Sequence, residues 1–396
     1  MDKIYMDNGA TTRMSDRALQ VTADTMKNIY GNPSSMHSLG HEAAKAVRSA
    51  RMKIADILHG DRDEVFFTSG GSEADNWAIR GAAILGRASG KMHLITTQIE
   101  HHAVLHTMKA LEKEGFRVTY LPVDAEGMIT PEQVAEAICA DTVLVSVMTA
   151  NNEIGSILPI KEIGALCREK KVLFHTDAVQ AVGHIPIDVQ DMNIDMLSAS
   201  AHKFYGPKGI GFLYCRKGIK LPNLIEGGAQ ERGRRAGTEN VPAICGMAAA
   251  LEEAAALMDE ESLRLCKMRD RLMEGILKLP YTRINGSRSH RLPGNVNACF
   301  EGIEGESLLI SLDLTGVCAS SGSACTSGSL DPSHVLLAIG LPHEIAHGSL
   351  RLSLGRYNRE EDVDYVLDQL PVIVDRLRDM SPVWEKMMKN TEKQAL

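Results

Sequence analysis

One lysine stands where a predicted strand ends and could act as an amine nucleophile. Lys203 lies in SASAHKFYGPKGIG (198–211), before a turn rich in glycine and proline. Beside Ser200 and His202, a lysine at a strand end can be desolvated, and its neutral amine then attacks a carbonyl carbon. A lone lysine is more often a solvated surface side chain, so this segment alone leaves both interpretations open.

A carboxylate follows an earlier predicted strand. Asp177 comes directly after VLFHT, and Gln180 follows three residues later. A carboxylate against the pyridine nitrogen is what pyridoxal phosphate (PLP) requires, because the protonated ring of this cofactor is an electron sink. The position suits the N-cap of a helix equally well, and the local sequence does not distinguish the two roles.

A strand followed by two glycines and a serine could bind a phosphate. In FFTSGGSEADN (66–76), Gly71 lets the backbone approach a ligand, and Ser72 opens a predicted helix. Backbone N–H groups at a helix N-terminus bind phosphate. The segment lacks the G-x-x-x-x-G-K-[ST] pattern of a nucleotide P-loop. An ordinary turn with a serine cap is the alternative.

Imidazole and amide side chains follow two further predicted strands. His101 and His102 come after HLITT, and Asn152 in NNEIG comes after TVLVSV. An imidazole at that position could stack on a flat cofactor or carry protons. Ligands of open parallel sheets bind outside the carboxyl ends of the strands. Five strand ends thus offer complementary groups at one sheet edge, and together they describe a PLP site.

One cysteine lies among small residues with no large apolar neighbour. Cys325 is in SSGSACTSGS (320–329), whereas the other seven cysteines lie in apolar or helical contexts. Buried cysteines usually behave as small hydrophobic side chains, which this context does not favour. The segment suits either an incidental thiol or a reactive thiol on a segment that moves.

Patterns typical of metal sites are weak in this sequence. The eight cysteines include no C-x-x-C pair. HEIAH (343–347) matches the H-E-x-x-H pattern of zinc proteases, which needs a stable helix and a third ligand. Pro342 precedes this motif and Gly348 follows it, so at most two helical turns fit. We therefore expect no resident metal.

Composition argues against several broad classes. The chain has 396 residues, of which 44% are hydrophobic and 24% charged, as in soluble globular proteins. A formal net charge of −8 argues against nucleic acid as the main partner, since proteins that bind it usually have a basic face. No signal peptide and no apolar run of about 18 residues is evident. We expect a cytoplasmic protein that does not enter the membrane.

The elements that must position these groups alternate along the chain. From about residue 60, short apolar strands alternate with helices, which predicts an α/β fold with a largely parallel sheet covered on both faces. The later strands and helices predict a smaller α+β domain. We expect a large domain over 15–260, and a small domain formed by 1–14 and 261–396 that carries Cys325.

Over nearly its full length the chain resembles the NifS/IscS-like cysteine desulfurases, PLP enzymes of the aspartate aminotransferase fold. The most specific segments are GNPSSMHSLG, FTSGGSEADN, EHHAV, NNEIG, HTDAVQAVG, SAHKFYGPKG, RAGTEN and SSGSACTSGS. The resemblance implies PLP-dependent transferase fold type I, with a mainly parallel seven-stranded sheet in the large domain.

This resemblance assigns cofactor contacts residue by residue. It implies that Lys203 is linked covalently to PLP, that Asp177 contacts the pyridine nitrogen and that Gln180 contacts the ring hydroxyl. His101 would stack on the ring and carry protons, and Thr238 would reach the phosphate of a neighbouring subunit. The residues implied to hold the phosphate and complete the cofactor site are Gly71, Ser72, Asn152, Ser200 and His202.

The same resemblance implies the reaction. L-cysteine would become L-alanine, with Asn152 and Arg351 binding the substrate carboxylate and with Cys325, Lys203 and His101 as catalytic residues. The Cys325 thiol would accept the sulfur as a persulfide and pass it to an iron–sulfur scaffold or another acceptor protein. We expect a homodimer, and no metal beyond a transient contact between Cys325 and an iron–sulfur cluster.

Alternatives stay open at this point. A selenocysteine lyase would share almost every residue named above. Another fold-type-I aminotransferase would share the PLP site but has no use for the Cys325 thiol. A non-enzymatic scaffold for iron–sulfur assembly proteins would need no chemistry at Lys203.

Overall fold

Strands and helices alternate through the computed structural model, which describes residues 3–321 and 332–394. The strands are β1 (Ile4–Tyr5), β2 (Val65–Thr68), β3 (His93–Thr97), β4 (Arg117–Leu121), β5 (Thr142–Ser146), β6 (Leu173–Asp177), β7 (Met196–Ser200), β8 (Gly211–Cys215), β9 (Thr282–Ile284), β10 (Asn295–Phe300), β11 (Val317–Cys318) and β12 (Ser349–Ser353). The helices are α1 (Asp16–Asn28), α2 (Ser38–Ile57), α3 (Gly71–Ala88), α4 (His102–Lys113), α5 (Pro131–Ala137), α6 (Ile160–Lys170), α7 (Gln230–Gly233), α8 (Val241–Ile276), α9 (Gly305–Leu314), α10 (His334–Ala338), α11 (His343–Ala346), α12 (Glu360–Asp379) and α13 (Pro382–Gln394). Cys325 lies outside the described residues.

A seven-stranded sheet forms the centre of the fold. Its strand order is β2-β8-β7-β6-β5-β3-β4. The neighbours from β7 to β4 pair in parallel, whereas β8 runs antiparallel to both β2 and β7. The predicted α/β class and the predicted mainly parallel seven-stranded sheet are therefore confirmed.

Each face of this sheet has its own apolar core. Phe66 and Leu213 pack with residues of α3 and α4, whereas their chain neighbours Phe67 and Phe212 pack with residues of α2 and α8. Successive side chains of a strand point to opposite faces, so helices cover both sides of the sheet. This leaves the strand ends as the place where polar side chains can gather.

A further core lies around an antiparallel sheet of order β12-β10-β9. The 36-residue helix α8 reaches both regions, since Ala254 packs in the core of the large sheet and Leu265 packs in this further core. The N-terminal segment also joins it, because β1 pairs with β11 and Met6 is buried there. The domain division at residue 260 stays a prediction, and it falls between the two halves of α8.

One helix in the described part of the chain is long and apolar enough to span a bilayer. The most apolar 18-residue window of α8 has a mean hydropathy of 1.5, and 56% of that window is buried. Packing between two cores accounts for this composition, because a helix that is covered on several sides is apolar on several sides.

Two helices near the N-terminus were not part of the predicted alternation. Ser15 caps α1 by accepting a hydrogen bond from the Ala18 backbone N–H. Ala43, Val47 and Ile54 of α2 are buried in the core of the large sheet. These helices extend the covering layer on that face of the sheet.

Candidate active site

Ten of the twelve site residues predicted from the sequence line one cavity of about 380 Å³, which is open to solvent. These residues are Gly71, Ser72, His101, Asn152, Asp177, Gln180, Ser200, His202, Lys203 and Arg351. Most of them lie at or just beyond the carboxyl ends of β2, β3, β5, β6 and β7. Of the other two, Thr238 lines a separate hollow with Arg235 and Glu239, and Cys325 lies outside the described residues.

The turn between β2 and α3 is shaped to accept a ligand closely. Gly70 is the N-cap of α3 and offers no side-chain hydrogen bond, so the alternative of a serine cap is wrong. A Cβ at Gly71 would lie 2.6 Å from Cγ2 of Val179, so a larger residue would force the Val179 side chain to shift. The N–H groups of an uncapped first turn, together with Ser72 and Ser200, suit a phosphate.

Lys203 lies in a short 3-10 turn after β7 and reaches the N-terminal segment. Its Nζ donates hydrogen bonds to the carbonyl oxygens of Gly9 at 2.6 Å and Ala10 at 2.8 Å. Gln180 Nε2 donates to the same Gly9 oxygen at 2.9 Å. These contacts hold the amine in the cavity, where a carbonyl carbon could reach it.

His202 is a neutral imidazole beside this amine. Its Nδ1 lies 3.1 Å from Oγ1 of Thr11. Burial, together with the charges of Lys203 and Lys208, lowers the pKa of His202 to about 4. A neutral imidazole can donate a hydrogen bond to a phosphate without adding a buried charge.

Asp177 is the last residue of β6 and is buried. Its Oδ1 accepts a hydrogen bond from the Val179 backbone N–H at 2.9 Å. The residues after it form turns, so the alternative of a helix N-cap is wrong. Burial raises the pKa of Asp177, while the positive charges of His101 and Lys203 lower it. A cationic ring nitrogen at this carboxyl would favour its ionised form in the same way.

Ligand atoms of Asp75, His101 and Asp177 lie within 4.8 Å of one another. Two carboxylates and an imidazole could hold a metal ion. The lysine amine and the phosphate-binding turn in the same cavity suit an organic cofactor instead. His101 caps α4 by accepting from the Ala103 N–H on Nδ1, so its neutral form carries the ring proton on Nε2.

The H-E-x-x-H motif lies away from this cavity. Its helix α11 spans four residues, and His343, Glu344 and His347 are all exposed. Within the described ranges, no third ligand completes a site around them. The motif therefore gives no support to a zinc enzyme.

Arg351 in β12 is positioned for a carboxylate. It is 2% exposed, and it donates to the Asn152 carbonyl oxygen and to Oδ1 of Asp7, both at 3.1 Å. Its buried Nε has no hydrogen-bond partner among the described residues. A guanidinium with an unused N–H group in a cavity suits a bound carboxylate.

Three titratable residues of the cavity were missed by the sequence prediction. Asp75 lies four residues after Gly71 on α3, so the helical period places both on one face and could have revealed it. Glu153 follows Asn152, accepts a hydrogen bond from Ser333, and has its pKa raised to about 7 by burial. His334 of α10 gave no signal, because its position depends on tertiary packing alone.

Comparison with known proteins agrees with this fold and cavity. The family described as aminotransferase class V matches residues 4–366. The chain therefore belongs to the class V aminotransferase family. Enzymes of this class use PLP, and the phosphate-binding turn, the Lys203 amine and the Asp177 carboxylate fit the phosphate, the carbonyl carbon and the ring nitrogen of this cofactor.

Similar proteins place the chain within that class. Cysteine desulfurase IscS of Clostridium botulinum (strain Hall) is 58% identical over 393 residues, which cover 98% of this chain and 99% of the relative. Cysteine desulfurase IscS of Methanosarcina thermophila is 57% identical over 383 residues, or 97% and 95% of the two chains. A solved NifS-like protein matches with a TM-score of 0.89 at 40% identity, covering 95% of this chain and all of the other. The resemblance to the NifS/IscS-like cysteine desulfurases is confirmed.

Proposed function

We propose that this cavity converts L-cysteine to L-alanine and that the sulfur passes to Cys325. The observation that carries the proposal is the convergence of Lys203, Asp177 and Arg351 in one cavity from three distant segments of the chain. PLP, when bound, draws electrons from the substrate Cα, which makes the Cα proton acidic and weakens the Cβ–S bond.

The residues of the cavity divide the tasks of binding and proton movement. Arg351 binds the substrate carboxylate through its unused Nε–H, with its guanidinium held by Asp7 and by the Asn152 carbonyl. The Lys203 amine and the His101 imidazole take and return protons at the reacting carbons. Gln180 donates a hydrogen bond to the Gly9 carbonyl oxygen and so holds the N-terminal segment that lines the cavity beside the amine.

Sulfur transfer balances without an outside oxidant. The substrate Cβ–S bond breaks and an S–S bond forms on Sγ of Cys325, so that sulfur is oxidised while Cβ becomes the methyl carbon of alanine. Only a thiolate attacks sulfur, so the Cys325 thiol first gives up a proton, and a proton is returned to Cβ. The role of Cys325 rests on its sequence context and on family membership.

We further propose that the persulfide sulfur goes to an acceptor protein of iron–sulfur cluster assembly, and that the enzyme is a cytoplasmic homodimer. Thr238 is exposed and lines a hollow outside the cavity, where a partner subunit could approach. Large apolar side chains are exposed on α1 and just after it, including Tyr30 at 72% and Met36 at 92%. The net charge of −8 gives no basis for binding nucleic acid or an anionic membrane.

The test is a short pulse of L-cysteine given to the PLP-loaded protein, followed by assay of alanine and by mass spectrometry of its cysteines. The wild type is expected to form alanine and a reducible sulfur adduct on Cys325. Cys325→Ser is expected to bind PLP and L-cysteine normally and to form almost no alanine. Cys318→Ser is the matched control and is expected to behave as the wild type.

Two results would overturn the proposal. One is a PLP-loaded wild type that forms no alanine from L-cysteine. The other is a sulfur adduct on Cys318 or Cys299 together with normal turnover by Cys325→Ser. L-selenocysteine and a 2-oxo acid acceptor tested in parallel separate the lyase and aminotransferase alternatives, since each would be active with its own substrate alone.

A further inference from the structure

The cavity holds a second carboxyl group that the proposed reaction does not use. Asp75 is 1% exposed, and a carboxyl oxygen of it lies within 4.8 Å of Asp177 and His101 ligand atoms. Its Oδ1 has no hydrogen-bond partner in the described part of the chain. A buried carboxyl oxygen without a hydrogen-bond partner is costly, so the carboxyl group of Asp75 must be stabilised in another way.

A chain of neutral side chains lies behind Asp75. Ser198 lies beside its carboxyl group, and Oγ of Ser198 is 3.0 Å from Nε2 of His175. The other ring nitrogen of His175 is 2.8 Å from Oγ of Ser146. Although His175 Nε2 is only 3.6 Å from Asp75 Oδ1, burial lowers the pKa of His175 to about 3, so the ring is neutral. No positive charge therefore compensates Asp75 from this side.

Two of the groups on the other sides of Asp75 oppose its ionisation. Burial raises the pKa of Asp75, and the buried acids Asp177 on β6 and Glu100 after β3 raise it further. The positive charges of the cavity, on His101 and Lys203, stabilise the ionised form of Asp177. Two carboxylates this close in a buried site do not both ionise, and one keeps its proton.

We propose that Asp75 is a positioning residue that stays protonated beside Asp177, so that the two carboxyl groups carry a single negative charge. This inference rests on the proposed cofactor site at Asp177. One negative charge matches the one positive charge of a protonated pyridine nitrogen, whereas a second would place two like charges within 4.8 Å of each other in a buried site. The neutral acid can also donate a hydrogen bond, which keeps Asp177 oriented toward the ring.

Asp75→Asn mimics the neutral acid, and Asp75→Ala removes it. We expect the PLP dissociation constant of Asp75→Asn to stay within about threefold of the wild type, because an amide keeps the shape and a donor. We expect Asp75→Ala to bind PLP about tenfold more weakly, since the side chain proposed to orient Asp177 is lost. A larger loss of PLP affinity in Asp75→Ala than in Asp75→Asn would show that a neutral polar side chain, without a negative charge, is sufficient at this position.

Infrared spectroscopy of the PLP-loaded protein, with aspartate labelled by ¹³C at the carboxyl carbon, reports the proton directly. The wild type at neutral pH is expected to show the C=O stretch of a protonated aspartic acid, shifted by the label. Asp75→Asn should lose this band. Glu100→Gln, a neighbouring buried acid, is the matched control and should keep it, because only aspartate carries the label.

Three results would overturn the inference. They are the absence of a labelled acid band in the wild type, its persistence in Asp75→Asn, and a loss of PLP affinity beyond tenfold in Asp75→Asn. Neither readout depends on turnover. A failure to form alanine would therefore overturn the proposed function and leave the proton on Asp75 as it is.

Discussion

The amine of Lys203 is positioned by backbone atoms far away in the sequence. The Gly9 carbonyl that it contacts is 194 residues earlier in the chain, and Gln180 donates to the same oxygen. The N-terminal segment that contains Gly9 is held in the further core by β1 and Met6. The position of the amine therefore depends on packing in both regions of the fold. The two backbone carbonyl oxygens of this segment therefore fix where the nucleophile lies in the cavity.

The covalent link to the cofactor is predicted to depend on this one amine. Lys203→Ala should leave no PLP attached after borohydride reduction, whereas the wild type should gain one reduced cofactor per chain. Lys203→Arg is the control, since it keeps a cation and hydrogen-bond donors but cannot form the link. Intact-protein mass spectrometry provides the measurement, and an equal mass gain in Lys203→Ala would contradict the assignment.

The sequence allowed the prediction of site residues that directly follow strands. His101 and Asp177 follow apolar runs, and parallel strands bring such positions to one edge. Glu153 and His334 were missed because a turn residue and a residue on a distant helix carry no sign of burial, whereas the helical period shared with Gly71 could have revealed Asp75. Burial of this kind is a tertiary property that a local pattern does not contain.

At the scale of elements, most of the sheet was predicted from its apolar runs. Strands β2 to β8 are short and mostly buried on both faces, which gives continuous apolar segments between helical patterns. The prediction began at about residue 60 and omitted α1 and α2. Thr238 lies outside the cavity of its own chain, and its contact with the phosphate of a neighbouring subunit, implied by the resemblance and not by a local pattern, stays a prediction.

The end of α6 offers a test of local backbone strain. Lys171 is the C-cap of α6 and has a left-handed backbone with φ of 55° and ψ of 40°. Glycine adopts this conformation freely, so Lys171→Gly should stabilise the protein by about 1 kcal/mol. Thermal unfolding followed by scanning fluorimetry should show a higher midpoint.

The matched control for this prediction lies two residues earlier in the same helix. Glu169 is exposed and helical, so Glu169→Gly should destabilise the protein by about 1 kcal/mol. Opposite signs for the two glycine substitutions are the expected pattern. A lower midpoint for Lys171→Gly would show that its side chain contributes more than the backbone strain costs.

At the scale of the whole molecule, the exposed apolar side chains at Tyr30 and Met36 predict a dimer. Light scattering should give the mass of two chains for the wild type. Replacing both residues by aspartate should yield monomers, because two buried charges per subunit would oppose association. The same variant should bind PLP more weakly if Thr238 contacts the phosphate of a partner.

Leu314→Asp serves as the control for the dimer prediction, since Leu314 is 80% exposed on α9, away from α1. This variant should remain a dimer with unchanged PLP affinity. A wild-type monomer with full activity would contradict the proposal that Thr238 contacts the phosphate bound by a partner subunit. A monomeric variant with aspartate at Tyr30 and Met36 that binds PLP as tightly as the wild type would contradict it too.

Buried titratable groups make the stability of the PLP-free protein depend on pH in two opposing ways. Burial lowers the pKa of His93, His202 and His334 to about 4, against an ordinary value of 6.5. The unfolded chain then binds more protons below pH 6.5, so stability is lost as the pH falls toward 4. Burial raises the pKa of Glu100 to about 8 and of Glu153 to about 7, from an ordinary 4.5.

As the pH rises above 6.5 the contribution of the histidines fades and that of the acids dominates. The folded protein holds protons on Glu100 and Glu153 that the unfolded chain has released, so stability should fall as the pH rises from 6.5 to 8. We expect Glu100 alone to account for about 1–2 kcal/mol of this loss. Glu100→Gln keeps an acceptor for Thr97 and the Met148 N–H and cannot ionise, so its urea midpoint should fall less over this interval. Equal losses in Glu100→Gln and the wild type would show that the Glu100 carboxyl is already ionised in the folded protein at pH 6.5.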